Sequence, residues 1–238
     1  MNDKEVLEAL EKLRKISKKR NFNQSIDIVI TLKNLNLKKP EENINTFISL
    51  PHSKGKKARI CALVGKELAP KAKEVCDNII LKEDFSKYDK KAIKKLAKDI
   101  DFFIAQADII GAIATAFGKI LGPIGKMPNP KAGCIIPPGI ADLKPLITQL
   151  DKTIKLETKN ELAVKTVVGS ENMKDEEIKD NIIAVYNSLL HSLPQEQNNV
   201  KDVLIKFTMS KSIKIGAKED QEGIEKKKKE PKVENERV

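Results

Sequence analysis

Tryptophan is absent from this 238-residue chain, tyrosine and histidine occur twice each, and phenylalanine seven times. So few rings exclude the broad stacking platforms with which proteins hold unstructured single-stranded nucleic acid. The isolated histidines, His52 and His191, read as surface or structural residues rather than ligands or bases. Cysteine is sparse and odd in number. Cys61, Cys76 and Cys134 stand too far apart for a compact zinc pattern and read as small buried residues in a reducing cytosol. No apolar stretch approaches the roughly 18 residues of a membrane helix, and the opening M-N-D-K-E-V-L-E-A-L has no signal-peptide core. Nucleotide-enzyme signatures are missing as well. No G-x-G-x-x-G follows a predicted strand, G-P-I-G-K at 122–126 lacks the P-loop spacing, and no G-x-S-x-G occurs. The expectation is a soluble cytoplasmic protein without membrane contact, metal or cofactor.

Positive charge is what the chain has in excess. Lysine and arginine number 45 against 34 acidic residues, a net of +11, so the natural partner is a polyanion, with nucleic acid first. The excess is uneven: residues 1–57 and 58–155 carry +6 each, 156–216 carry −1, and the lysine-rich end 217–238 carries 0.

Along the chain, Val6, Leu7, Leu10, Leu13 and Ile16 at helical spacing predict an opening amphipathic helix. The cations Lys18, Lys19 and Arg20 then precede Phe22, a ring that either closes the helix-to-strand junction in the core or packs on a ribose or base. Residues alone favour the core. Ile26, Ile28, Ile30 and Leu32 alternate as in a half-buried strand, and a second strand runs from Ile44 to Leu50. After Ser53–Lys57 the rhythm changes. Buried apolar runs (A-R-I-C-A-L-V-G, I-I-L near 80, F-F-I-A-Q-A) alternate with helical patterns over Lys66–Val75, Ser86–Ile100 and Ile109–Ile120, which predicts βαβ units on a parallel sheet. Leu121–Gly133, rich in glycine and proline, reads as a constrained loop, followed by a short helix from Ala141 to Leu150 and a strand at Thr153–Glu157. The earlier style returns with a strand at Leu162–Val168, which carries Lys165, and a helix at Lys174–Leu193 whose first turn is acidic. Residues 217–238 are nearly devoid of apolar side chains and read as disordered.

The stretch Val200–Gly216 carries the most functional information. Val203, Ile205, Phe207, Met209, Ile213 and Ile215 alternate with Lys206, Thr208, Ser210, Ser212 and Lys214, as in one long strand with a core face and a face of hydroxyls and ammoniums. Such a face is either ordinarily solvated or suited to phosphate and ribose oxygens. The whole order predicts a discontinuous α/β protein. An outer α+β domain is built from both chain ends, 1–57 and 156–216, and a doubly wound domain, 58–155, is inserted in it. The two chain crossings between them would make a hinge. The competing reading is a nucleotide-using α/β enzyme with a basic surface.

R-N-F-N-Q-S at 20–25, L-P-H at 50–52, D-F-F-I-A-Q-A-D at 101–108, L-G-P-I-G-K-M-P-N-P-K at 121–131 and K-F-T-M-S at 206–210 together resemble the L-one family of ribosomal proteins, in wording of the archaeal type. The resemblance covers about residues 2–216. It implies a split β-α-β outer domain with a Rossmann-like three-layer insert, and no enzymatic activity. It further implies binding of the large ribosomal RNA at the mobile stalk, help in releasing deacylated transfer RNA from the exit site, and, in some members, repression of their own messenger RNA; off the ribosome a monomer is expected. Phe22, Ser25, Asp27, Thr208, Met209 and Ser210 would line one RNA surface, which reverses the preference for a core role of Phe22. Lys165, Lys206, Ser212 and Lys214 are added as candidates from the polar strand faces. The chain departs from the family in two places. Ser210-Lys211 replaces the usual Gly-Pro, so Lys211 is expected to compensate with a phosphate contact, and Ile124 replaces a usual arginine in the insert's loop.

Overall fold

Glu5 fixes the start of the first helix, α1 (Asp3–Ile16), by accepting the Asn2 backbone N–H at 3.1 Å. Val6, Ala9, Leu10 and Leu13 are its buried face. In the computed structural model, which describes residues 1–37, 39, 42–137, 143–159 and 161–216, the next element is β1 (Ser25–Leu32). Its alternation is strict: Ile26, Ile28, Ile30 and Leu32 are buried, and the residues between them are half-buried. The expected tail 217–238 and the first residues of the helix expected at Ala141 lie outside the described residues.

After β2 (Asn45–Ser49) the chain enters an all-parallel sheet made by β3 (Ile60–Val64), β4 (Asn78–Leu81), β5 (Phe102–Gln106) and β6 (Ile135–Ile136), in the order β4-β3-β5-β6. The connecting helices are α2 (Ala69–Lys73), α3 (Lys90–Asp99) and α4 (Ile110–Ile124). The central strands bury both faces, as a covered parallel sheet requires. Cys61, Leu63, Phe103 and Ala105 meet Ile93, Ile113 and Phe117 on one side, whereas Ile60, Ala62, Val64 and Ile104 meet Ala72, Cys134 and Leu150 on the other. The chain returns through α5 (Lys144–Lys152) and β7 (Thr153–Glu157) to β8 (Ala163–Ser170), α6 (Asp175–Ser192), β9 (Val200–Phe207) and β10 (Ile213–Lys214). A second, antiparallel sheet has the order β10-β9-β1-β8, and one core joins it to α1 and α6.

The two crossings pair with each other. β2 and β7 form a separate antiparallel ribbon with Asn45 opposite Glu157 and Ser49 opposite Thr153. Ile44, Leu50, Ile154 and Leu156 belong to the core under the antiparallel sheet, while Phe47 packs against the parallel sheet's core. The boundary expected at 155/156 therefore falls inside a strand. Just past β2 the chain is clamped to α6: Asn181, fully buried, accepts the His52 N–H at 3.0 Å and donates to the Val168 carbonyl at 2.8 Å. Gly55, at φ 78°, sits so close to β8 that a Cβ there would lie 2.3 Å from Ser170 Oγ.

Three sequence expectations change. Val200–Gly216 is not one strand but a hairpin, with Ile213 opposite Ile205 and Lys214 opposite Leu204. The loop expected from Leu121 begins later, because α4 continues through Pro123 to Ile124 and stops at Gly125, whose φ of 75° ends the helix. Ala107–Ile124 is also long and apolar enough, by length and composition, to cross a membrane, contrary to the sequence expectation. The reason is that its hydropathy comes largely from Ile109, Ile113, Phe117, Ile120 and Leu121, which are buried against the parallel sheet, as in the core helix of a globular unit.

Candidate nucleic-acid interface

The antiparallel sheet ends, where β1 begins and β9 stops, in short polar segments. Ser25 opens β1 opposite Ser170, the last residue of β8. On its other side the chain leaves β9 at Phe207 and turns through Thr208, Met209 and Ser210. That turn has neither glycine nor proline and is held by hydroxyls. Ser210 Oγ accepts the Phe207 N–H at 2.9 Å and donates to the Lys211 carbonyl at 3.0 Å. Thr208 clasps Ser25: its N–H donates to the Ser25 carbonyl at 3.1 Å, and its Oγ1 accepts the Ser25 N–H at 3.2 Å.

Gln24, 1% exposed, supports the turn from below. Its Oε1 accepts the Met209 N–H at 3.4 Å, its Nε2 donates to Glu171 Oε2 at 3.4 Å, and its carbonyl accepts the Glu171 N–H at 2.8 Å. Arg14 of α1 fixes Glu171 in turn, donating to the Glu171 and Met173 carbonyls at 2.9 Å each and to Asp175 Oδ1 at 2.8 Å. A planar guanidinium serves all three acceptors at once, which a lysine would not. Neither Gln24 nor Arg14 was a sequence candidate. Gln24 sits inside R-N-F-N-Q-S, where a polar residue between two predicted elements gave no sign of being buried.

Two large apolar side chains stand in solvent beside this hydrogen-bonded frame, Phe22 at 51% and Met209 at 61% exposure. Phe22 is not a core anchor. One step into the sheet, Asp27 lies opposite Lys206. Burial pushes the Asp27 carboxyl above its ordinary value, and the Lys206 charge pulls it back. Ser212 and Lys211 are exposed just beyond the turn, and Lys211 has no ion-pair partner among the described residues. The frame thus brings together Phe22, Ser25, Thr208, Met209, Ser210, Lys211 and Ser212.

Lys165 and Lys214 do not join them. They lie on the rung through Val29 and Leu204, about 13 Å along the sheet from Ser25 at four residues of roughly 3.3 Å. Each is held by an acid: Lys165 pairs with Glu161, and Lys214 with Asp202. The missing glycine is also explained. Among the described residues positive φ outside glycine occurs only at Asn34 and Glu196, so position 210 needs no glycine, and its serine hydroxyl closes the turn instead.

At the carboxyl ends of the parallel strands, where α/β enzymes bind nucleotides, the chain satisfies its own polar groups. The Gly65 N–H donates to Gln106 Oε1 at 3.1 Å, Gln106 Nε2 donates to Asp108 at 3.1 Å, and Lys66 pairs with Glu83 at 2.6 Å. In the loop after α4, Lys126 is turned inward, donating to the Ala97 and Ile100 carbonyls at 2.8 and 2.5 Å, and burial lowers its pKa. Lys126 is thereby withdrawn from that loop's surface, whereas Lys131 stays exposed on it.

The model of the Ribosomal protein L1p/L10e family matches residues 13–211. The chain belongs to that family. The matched span runs from the helix carrying Arg14 through Lys211 and so contains every residue of the frame but Ser212. Among similar proteins, the large ribosomal subunit protein uL1 of Methanocaldococcus jannaschii is 38% identical over 217 residues, covering 90% of this chain and 96% of that one. The protein of the same name from Thermoplasma volcanium is 38% identical over 218 residues, 91% and 98% of the two chains. That of Thermococcus kodakarensis is 34% identical over 212 residues, 88% and 96%. Membership in a family of ribosomal proteins sets aside the nucleotide-using enzyme.

Proposed function

We propose that this protein is a structural constituent of the large ribosomal subunit in the cytoplasm and that it binds the stalk segment of the large ribosomal RNA through the end of its antiparallel sheet. One observation carries the reading: two exposed apolar side chains, Phe22 and Met209, flank a turn whose backbone is fixed by Thr208, Ser210 and buried Gln24. A rigid frame presents hydroxyls and carbonyls to sugar and phosphate without losing side-chain freedom on binding, and a ring and a thioether beside it pack on an exposed ribose or base. Repression of its own messenger RNA would use the same surface, since one frame accepts any RNA that repeats the stalk's shape. Assistance in releasing transfer RNA from the exit site falls to the inserted unit, which we place at 58–155, the outer unit being 1–57 with 156–216.

The test is binding of the full chain and of Phe22→Ala to a transcript of the stalk segment and to an unrelated hairpin. Loss of one stacking contact is expected to cost about 1–3 kcal/mol, roughly 5- to 150-fold in affinity for the stalk transcript, and to leave the hairpin affinity alone. Equal losses on both RNAs, or none, would overturn the assignment.

A further inference from the structure

Beside Ser25 the sheet end opens into a cleft of about 340 Å³ between the antiparallel sheet, β7 and the first residues of β5. Its walls include Ser25, Thr166, Thr153 and three lysines of the first crossing, Lys54, Lys56 and Lys57. The crossing is not a loose strap here. Gly55 is pressed against Ser170, the Ala58 N–H donates to Asp151 at 2.8 Å, and Lys54 Nζ lies 5.4 Å from the centre of the Phe102 ring.

Two of the cleft's four lysines, Lys56 and Lys57, carry uncompensated charge. Asp101, the acid on its wall, has its carboxylate turned to the Arg59 N–H at 3.0 Å, and Lys155 is paired with Glu157. Lys56 and Lys57 are exposed and have no ion-pair partner among the described residues. Burial lowers the pKa of Lys54, partly offset by Asp101 and Asp151.

We propose that this cleft is a second RNA-binding surface, in which Lys54, Lys56 and Lys57 take phosphates of the strand that leaves the sheet-end site past Ser25. The inference rests on that site's being the RNA surface, because Ser25 belongs to both and sets the direction of the strand. A sugar–phosphate backbone fits the cleft, which is open along one side: the lysines and the hydroxyls of Ser25, Thr153 and Thr166 suit phosphate and ribose oxygens, and the apolar part of the wall, Phe102, Ile154 and Val167, suits the carbon face of a ribose. Since its two walls come from different sheets, a phosphate held there ties the inserted unit to the RNA already held by the outer one.

The experiment uses the full chain and the stalk transcript, with affinity measured through rising KCl. The double variant Lys56→Ala/Lys57→Ala is expected to flatten the slope of log affinity against log salt by about 1–2, about one phosphate contact per lysine. The double variant Lys90→Ala/Lys91→Ala removes the same charge from the exposed start of α3 and is expected to leave the slope as in the parent. An unchanged slope in the cleft variant, or equal flattening in both, overturns the cleft. Phe22→Ala, measured alongside, reports on the sheet-end reading separately. If it leaves the specific affinity intact, that reading fails whatever the lysines do.

Discussion

Replacing Asn181 with leucine tests how the first crossing is anchored. The side chain is fully buried on α6 and makes two hydrogen bonds, 3.0 Å from the His52 N–H and 2.8 Å to the Val168 carbonyl. Leucine has nearly the same volume, so no large cavity opens, but two backbone groups are left without partners. At about 1–3 kcal/mol for each such group, less what the added apolar surface returns, the core under the antiparallel sheet should lose about 2–4 kcal/mol. The chain's two tyrosines give a local probe, because Tyr186 packs against that core and Tyr88 against the other. In a Tyr88→Phe background, urea unfolding followed by tyrosine fluorescence reads the outer core alone. With a slope of roughly 1–3 kcal/mol per molar urea, the midpoint should fall by about 1–2 M. In a Tyr186→Phe background, which reads the parallel sheet, Asn181→Leu should move the midpoint little. A fall below about 0.3 M in the first would refute the anchoring argument. Equal falls in both would show that the loss is not confined to the core under the antiparallel sheet.

Gly55→Ala forces a side chain into a left-handed conformation and against Ser170, so the melting temperature should drop by several degrees, whereas Gly118→Ala, in a helix with open space around it, should not lower it. Ser210→Gly removes the hydroxyl that accepts the Phe207 N–H; stalk-RNA affinity should fall a few-fold, and a gain would show that backbone freedom matters more there than the hydroxyl. Burial pushes the Cys61 thiol up to about 12 from an ordinary 9.0. The folded chain therefore holds this proton while the unfolded chain releases it, and stability should decline as pH rises above about 9, by up to roughly 1.4 kcal/mol per unit. Urea midpoints at pH 8 and 10 should show a smaller decline for Cys61→Ala than for the parent.

Much of the architecture was legible because periodicity reports burial directly. The alternation of Ile26, Ile28, Ile30 and Leu32 gave β1, and the continuous apolar run of β3 gave a strand covered on both faces. The long strand at 200–216 misled because the pattern survives the turn: β10 folds back on β9, and Ile213 and Ile215 return to the same core as Ile205 and Phe207. No glycine or proline marks the reversal, which depends on a serine hydroxyl that sequence spacing does not reveal. In the same way, alternation placed Lys165 and Lys214 on the polar face but said nothing of Glu161 and Asp202, which hold them. Pro123 read as a loop residue, although a proline in a helix's last turn forfeits only one bond before Gly125 ends it. Gln24 was hidden for the opposite reason: a buried amide is stable only with partners, and its partners come from residues 171 and 209.

The ribbon of β2 and β7 has a mechanical meaning. Two strands bonded edge to edge act as a flat leaf: sliding one along the other breaks their ladder, while flexing across the broad face keeps every bond of it. Neither crossing can therefore shift along the other without the cost of that ladder, and the ten residues of the ribbon hold the two passages of the chain in one register.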